Sequence, residues 1–162
     1  MQGKLFWTAF ILLGVSMEGV ALFYQYVLDE PPCILCIHFR LLFAVIIIIA
    51  LKMLWLRSYK FSRIVASLSL LAVSGVMAER SYQLLGTERR FILGECSMDL
   101  GFPAWLAVDK WVPWLFQPLT SCGYTPEIVF GITMAEALSV FSIIMVLFTA
   151  WMLFASLKST NY

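Results

Sequence analysis

Apolar side chains dominate four stretches of the 162-residue chain, and short polar segments separate these stretches from one another. They run from about 5 to 28, 35 to 56, 64 to 82 and 130 to 157. Each length is close to the roughly 20 residues that a helix needs to cross the hydrocarbon core of a bilayer. The pattern predicts an all-α membrane protein, a bundle of four transmembrane helices with both termini on the same side.

Composition indicates lipid rather than water as the main solvent of this chain. Apolar residues make up 62% of it, charged residues 13%, and the mean hydropathy is +0.90. A soluble domain rarely exceeds about half apolar residues. We therefore expect residues 1–162 to form a single integral membrane domain in contact with the lipid bilayer. The formal net charge of +1 argues against nucleic acid as a partner.

Basic residues near the ends of the spans indicate the orientation. One side carries six of them and no acidic residue: Lys4, Lys52, Arg57, Lys60, Arg63 and Lys158. The other side carries a mixed, net acidic set. Because cytoplasmic loops hold an excess of lysine and arginine, we expect both termini to be cytoplasmic. The loops at about 29–34 and 84–127 would then face outward, and the second of them is long and rich in aromatic residues.

The four cysteines divide equally between the two outer loops. Cys33 and Cys36 form a CxxC at the start of the second helix, where unpaired backbone N–H groups stabilise a thiolate. Cys96 and Cys122 are separated by 25 residues within the long loop. One pair at the membrane surface and one in a loop is a pattern that suits sequential thiol–disulfide exchange.

Spacing alone leaves two other interpretations of the cysteines open. The pairs could be stabilising disulfides of a non-enzymatic membrane scaffold, or ligands of a zinc ion. Zinc sites usually have two closely spaced pairs of ligands, and the 25 residues between Cys96 and Cys122 do not fit that pattern well. We therefore expect no metal.

Four segments resemble the disulfide bond formation protein B (DsbB) family. They are residues 18–26 (EGVALFYQY), residues 32–37 (PCILCI) with Arg40, residues 102–106 (FPAWL), and residues 109–113 (DKWVP) followed by Cys122. The resemblance covers most of the chain, and the block Pro-Cys-x-Leu-Cys-x-x-x-Arg is specific.

The resemblance implies a quinone-dependent protein thiol oxidase of the bacterial inner membrane, with its cysteines facing the periplasm. Electrons would pass from a DsbA-like periplasmic thioredoxin-fold oxidase to ubiquinone or menaquinone. It assigns the mixed disulfide with the partner to Cys96 and the exchange with Cys33 to Cys122. Cys36 would remain as the thiolate beside the quinone, and Arg40 would polarise the quinone and hold the developing anion.

Two further residues enter the predicted quinone site through a difference from the family. Some members carry a histidine between the third helix and the long loop, whereas the only histidine here is His38. Arg80 and Gln83 are the polar residues available in that region. Arg80 joins Arg40 and Cys36 as a predicted quinone-binding residue, with lipid headgroups as the alternative contact. An alternative for Arg40 is a cation that extends to the membrane interface.

A second family shares this chemistry, the vitamin K epoxide reductase-like quinone-linked thiol oxidases. Those proteins place the CxxC next to the quinone late in the bundle, whereas here it precedes the second helix. Glu18 is also unusual, because carboxylates inside apolar spans are costly and usually face protein or water. We expect it to make a structural hydrogen bond rather than to handle protons.

Overall fold

The computed structural model describes residues 3–56, 58–92, 101, 108–120, 125, 127–129 and 131–158. In chain order its elements are α1 (Lys4–Tyr26), α2 (Ile34–Leu56), α3 (Lys60–Glu88), the short helices α4 (Val108–Trp111) and α5 (Pro113–Phe116), strands β1 (Glu127–Val129) and β2 (Ile132–Thr133), and α6 (Met134–Lys158). The four long helices are each long and apolar enough to cross a membrane. The predicted all-α membrane bundle is confirmed.

The third helix is longer than the apolar pattern indicated. It begins at Lys60 and continues to Glu88, beyond the expected end near Tyr82. Polar residues in its last turns do not end it, because they pair along its surface: Gln83 Nε2 donates to Glu79 Oε1 at 3.2 Å. Arg90 takes a left-handed conformation with φ of 58°, and the chain leaves the helix there.

The last helix begins four residues later than expected, because an antiparallel hairpin of β1 and β2 precedes it. Thr133 and Glu136 define its start. The backbone N–H of Glu136 donates to Thr133 Oγ1 at 3.3 Å, and that of Thr133 donates to Glu136 Oε2 at 3.4 Å. This reciprocal pair is a capping box, which satisfies N–H groups that a helix start otherwise leaves open.

Buried and half-buried hydroxyl groups line the interface of the antiparallel helices α3 and α6. They recur every seven residues on both helices, at Ser67, Ser74 and Ser81 and at Ser142, Thr149 and Ser156. Ser74 Oγ lies 2.9 Å from Thr149 Oγ1, and Ser67 Oγ lies 3.3 Å from Ser156 Oγ. Small side chains let helix backbones approach closely within a membrane, and their hydroxyls can bond across the interface.

Helix α1 approaches α2 closely at Gly14, where a Cβ atom would lie 2.5 Å from Ile47 Cγ1. Aromatic and apolar side chains fill the rest of the bundle interior, among them Trp7, Phe10, Phe43, Ile46, Leu70, Met77 and Met145. Large apolar side chains also cover the outer surface, for example Leu12, Ile48, Leu68, Ile144 and Phe154. A surface of this kind suits contact with lipid and is uncommon on soluble proteins.

A second, smaller core lies at the end of the bundle that carries Cys33 and Cys36. It joins the start of α2 to α3 and α6 through Ile34, Ile37, Leu84 and Ala135, together with Cys33 and Leu35. Val108 and Phe116 pack against it, so α4 and α5 are attached to the same end. This end is called the cysteine end below, and all the features of the candidate site lie there.

Candidate active site

The CxxC closes the first turn of α2. The carbonyl of Cys33 accepts the N–H of Ile37 at 3.1 Å, and its sulfur accepts the N–H of Cys36 at 3.3 Å. Cys33 thus occupies the N-cap position with sulfur in place of the usual oxygen acceptor. A thiolate is favoured there by the helix N–H groups. The two Sγ atoms are 2.7 Å apart, so they lie in direct contact.

The two cysteines differ in access, because another part of the chain covers Cys33. Only 1% of Cys33 is exposed, whereas Cys36 is partly exposed. The N–H of Leu119 donates to the carbonyl of Pro32 at 3.1 Å, and Thr120 forms a parallel bridge with Cys33. The residues that lead toward Cys122 in the sequence therefore run directly alongside the CxxC.

The second predicted pair lies outside the described residues, as does the family-like segment 102–106. The roles assigned to Cys96 and Cys122 therefore stay predictions. Within the described residues there is no group of three metal-ligating side chains. That finding does not reach a zinc site built on Cys96 and Cys122.

A cavity of about 380 Å³ lies beside Cys36, between α1, α2 and α6. Most of its wall is apolar and includes Met17, Phe39, Phe43 and Phe141. The polar members of the described wall are the thiol of Cys36, the guanidinium of Arg40, Tyr24 and Glu30. Two of the predicted quinone-binding residues, Cys36 and Arg40, thus share one cavity. Sequence reasoning missed Glu30 as a residue of the cavity wall, because it lies in the segment before the CxxC and belongs to no motif.

Arg40 is buried, with 4% of it exposed, and is bonded to other parts of the chain. Its Nη1 donates to Gln25 Oε1 at 2.5 Å and to the carbonyl of Leu115 at 3.0 Å, while Nη2 donates to the carbonyl of Ala21 at 3.0 Å. The buried Nε has no hydrogen-bond partner among the described residues. These bonds hold the guanidinium between α1 and α5. Its assignment to the quinone stays a prediction, as does the alternative of a cation that extends to the membrane interface.

The described residues give Glu18 no side-chain hydrogen bond, so the expected structural bond stays a prediction. Its Oε1 atom is buried and has no hydrogen-bond partner in the described part of the chain. Its main charged neighbour is Arg40, which also lies within electrostatic range of Cys36. A buried cation, a half-buried carboxylate and a partly exposed thiol therefore lie near one another, where charges interact more strongly than in water.

The aromatic segment after α4 attaches to the bundle through its backbone. Two donors from the end of α1 bind the carbonyl of Trp114, with Gln25 Nε2 at 3.2 Å and Tyr26 Oη at 2.6 Å. The rings of Trp111 and Trp114 remain exposed. Sequence reasoning missed Gln25 and Tyr26 as site residues, although both lie in the family-like segment 18–26.

Arg80, the third predicted quinone-binding residue, lies on α3 and is not part of the described cavity wall. Its Nη1 donates to Gln83 Oε1 at 3.3 Å. Its assignment as a second quinone contact stays a prediction.

Comparison with known proteins agrees with the resemblance found in the motifs. The family described as "Disulfide bond formation protein DsbB" matches residues 3–152. "Disulfide bond formation protein B 2" of Pseudomonas aeruginosa is 28% identical over 159 residues, covering 97% of this chain and 92% of the relative. "Disulfide bond formation protein B" of Shewanella loihica is 31% identical over 156 residues, covering 91% and 89%. A protein of the same name from Psychromonas ingrahamii is 30% identical over 159 residues, covering 94% and 84%.

Proposed function

The chain belongs to the disulfide bond formation protein B family, and from that premise we propose that it reoxidises a DsbA-like periplasmic thioredoxin-fold oxidase and passes the electrons to a membrane quinone. The observation that carries the proposal is the cavity of about 380 Å³ whose wall contains both Cys36 and Arg40. A thiol that can give electrons and a buried cation that can stabilise negative charge therefore face one mostly apolar space.

The wall of the cavity fits a quinone in size and chemistry. Small-molecule sites are commonly about 300–1,000 Å³ and mostly apolar, with a few polar groups that fix orientation. A quinone presents carbonyl acceptors, and the Nε of Arg40 is a buried donor with no partner among the described residues. Ubiquinone or menaquinone bound there would supply a two-electron acceptor. Arg40 would bind its oxygen and stabilise negative charge there, as donors in an oxyanion hole do.

The cysteines would carry the electrons by exchanging one disulfide for another. A thiolate of the partner attacks Cys96 of a Cys96–Cys122 disulfide, so a partner–Cys96 bond forms and Cys122 leaves as a thiolate. Cys122 then attacks Cys33 of the Cys33–Cys36 disulfide, and Cys36 leaves as the thiolate in the cavity wall. The covering of Cys33 by Leu119 and Thr120, just before Cys122 in the sequence, supports this order.

Two further exchanges release the oxidised partner and leave its two electrons on the CxxC of this chain. The second thiolate of the partner displaces Cys96, and the partner leaves with its own disulfide. Cys96 reforms its bond with Cys122 and releases Cys33 as a thiolate, so the CxxC holds two electrons. Transfer of both electrons to the quinone would restore the Cys33–Cys36 disulfide.

We further propose that the cysteine end faces the periplasm. The basic residues Lys4, Lys52, Lys60 and Lys158 belong to helix ends that lie opposite it along the spans, and such residues mark the cytoplasmic side. Membrane-impermeant maleimide on reduced, intact spheroplasts should label Cys36 and the two loop cysteines, with buried Cys33 labelled more slowly. Labelling that requires rupture of the membrane would overturn this orientation.

The decisive experiment is anaerobic quinone reduction by the purified protein with a reduced thioredoxin-fold partner. One quinone should be reduced for each partner dithiol oxidised, and the Cys36→Ser variant should reduce none. Absence of quinone reduction, together with disulfides that resist mild thiols, would instead support a scaffold with structural disulfides.

A further inference from the structure

Gln25 connects the cavity wall to the segment that leads toward Cys122. It lies in the last turn of α1, and its side-chain amide has one partner on each side. The Oε1 atom accepts from Arg40 Nη1 at 2.5 Å, and Nε2 donates to the carbonyl of Trp114 at 3.2 Å. One side chain therefore bridges a residue of the cavity wall and α5.

The partners of Gln25 fix which way its amide points. A guanidinium only donates hydrogen bonds and a backbone carbonyl only accepts them. An amide with its oxygen toward Arg40 and its nitrogen toward Trp114 satisfies both, whereas the flipped amide satisfies neither. No other uncharged side chain of this length offers a donor and an acceptor in this arrangement.

Further hydrogen bonds hold the same stretch of backbone. Tyr26 Oη donates to the carbonyl of Trp114 at 2.6 Å, and Arg40 Nη1 donates to the carbonyl of Leu115 at 3.0 Å. Two consecutive carbonyls of α5 are thus bound by three donors. A few residues later, Leu119 and Thr120 lie against Pro32 and Cys33.

We propose that Gln25 is a positioning residue for thiol exchange between the two cysteine pairs. By joining Arg40 to the Trp114 carbonyl it holds the chain before Cys122 in register with Cys33, and it also fixes the Arg40 guanidinium in the cavity wall. The inference rests on the proposed function and deepens it. The step concerned is attack of the Cys122 thiolate on Cys33, which forms the Cys33–Cys122 bond and releases Cys36 as a thiolate.

Two variants of Gln25 separate its two bonds, and a third variant removes the neighbouring donor of Tyr26. Gln25→Leu removes both. Gln25→Glu keeps an acceptor for Arg40 but loses the donor to Trp114, because a carboxylate only accepts. Tyr26→Phe removes only the second donor to Trp114. Gln117→Leu is the matched control, since Gln117 is exposed, lies close to α5 in the chain and makes no described side-chain hydrogen bond.

The measurement is single-turnover exchange in quinone-depleted protein mixed with a reduced thioredoxin-fold partner and quenched with an alkylating agent. Gln25→Leu should slow formation of the Cys33–Cys122 disulfide roughly 10- to 100-fold, because small misplacements of reacting groups carry such costs. The partner–Cys96 adduct should form at the wild-type rate. Gln25→Glu should slow the same exchange, and Tyr26→Phe should slow it less.

Quinone kinetics give a second readout, because a merely structural role would not affect the quinone KM of Gln25→Leu and Gln25→Glu differently. Gln25→Leu should raise the quinone KM, because Arg40 loses a fixed partner, whereas Gln25→Glu should leave it near wild type. If exchange in both Gln25 variants is as fast as in Gln117→Leu, and the wild-type protein reduces quinone, the inference is overturned and the proposed function stands. A wild-type protein that neither forms the Cys33–Cys122 bond nor reduces quinone would overturn the proposed function itself. Should Gln25→Leu fail to fold, Gln25→Glu and Tyr26→Phe decide the question.

Discussion

Replacing Arg40 by lysine separates the charge of this residue from its hydrogen-bond geometry. Two nitrogens of the guanidinium donate to Gln25 Oε1 and to the carbonyls of Leu115 and Ala21, and Nε is left as a buried donor with no partner among the described residues. Lysine keeps a positive charge on a single nitrogen. It cannot reach all the acceptors that two nitrogens reach, nor supply the Nε donor at the same time.

The size of the effect follows from the bonds that are lost. A hydrogen bond to a charged group contributes about 1.5–3 kcal/mol, and each 1.4 kcal/mol corresponds to a factor of about ten. Arg40→Lys should therefore lower quinone turnover roughly 10- to 100-fold. Arg40→Ala also removes the charge, and its loss should reach about 1,000-fold if it behaves like loss of an oxyanion-hole donor.

The structure also links Arg40 to the thiol exchange between loops. Because Leu115 and Gln25 lose their donor in Arg40→Ala, exchange of Cys122 with Cys33 should slow as well. Formation of the adduct at Cys96 should not change, since it precedes that exchange.

The assay is turnover at varied quinone concentration beside single-turnover exchange with the partner. Lys52→Ala is the control, because Lys52 is an exposed cation on the same helix. In the same assay Arg80→Ala tests the predicted second quinone contact, whose expected signature is a raised quinone KM with unchanged exchange. Wild-type quinone kinetics in Arg40→Ala would refute the role given to Arg40 and leave it as a structural residue.

Two further predictions concern the cysteines and the bundle interior. Cys36→Ser should abolish quinone reduction but still form the partner–Cys96 disulfide, and Cys122→Ala should accumulate that disulfide. Non-reducing gels show the adduct in each case. A partner adduct through Cys33 in a Cys96→Ala variant would contradict the order of exchange. A double-mutant cycle of Ser74→Ala with Thr149→Val, followed by unfolding in detergent, should give a coupling of about 0.6 kcal/mol and no more than about 1.7 kcal/mol, and a coupling near zero would mean that the pair acts through packing alone.

Much of the architecture could be predicted because lipid imposes a simple rule on sequence. A span must be apolar over about 20 residues, and the four long helices follow that rule. The CxxC could be placed at a helix start because two prolines precede it, and Cys33 is indeed the residue before α2. Arg40 came into the site from the family-like block, and it lies in the wall of the same cavity as Cys36.

What escaped prediction depends on contacts between distant parts of the chain or on signals weaker than hydropathy. Gln25 is one polar residue near the end of an apolar span, and nothing local indicates a bond to Trp114, 89 positions away. The start of α6 was readable in principle, since threonine followed three residues later by glutamate is the signature of a capping box. Hydropathy hid it, because the hairpin before Met134 is itself apolar.

The hydrogen bonds around Arg40 couple the two halves of the proposed reaction, which are thiol exchange and quinone reduction. A buried cation stabilises developing charge best when its position is fixed beforehand, because no dipole then has to reorient as the charge appears. Here the bonds that fix Arg40 are made to the end of α1 and to α5, the elements that hold the chain beside Cys33. Loosening that segment to admit Cys122 more freely would therefore also loosen the guanidinium in the cavity wall. We expect no substitution at the Arg40–Gln25–Trp114 contact to improve disulfide exchange without weakening quinone use.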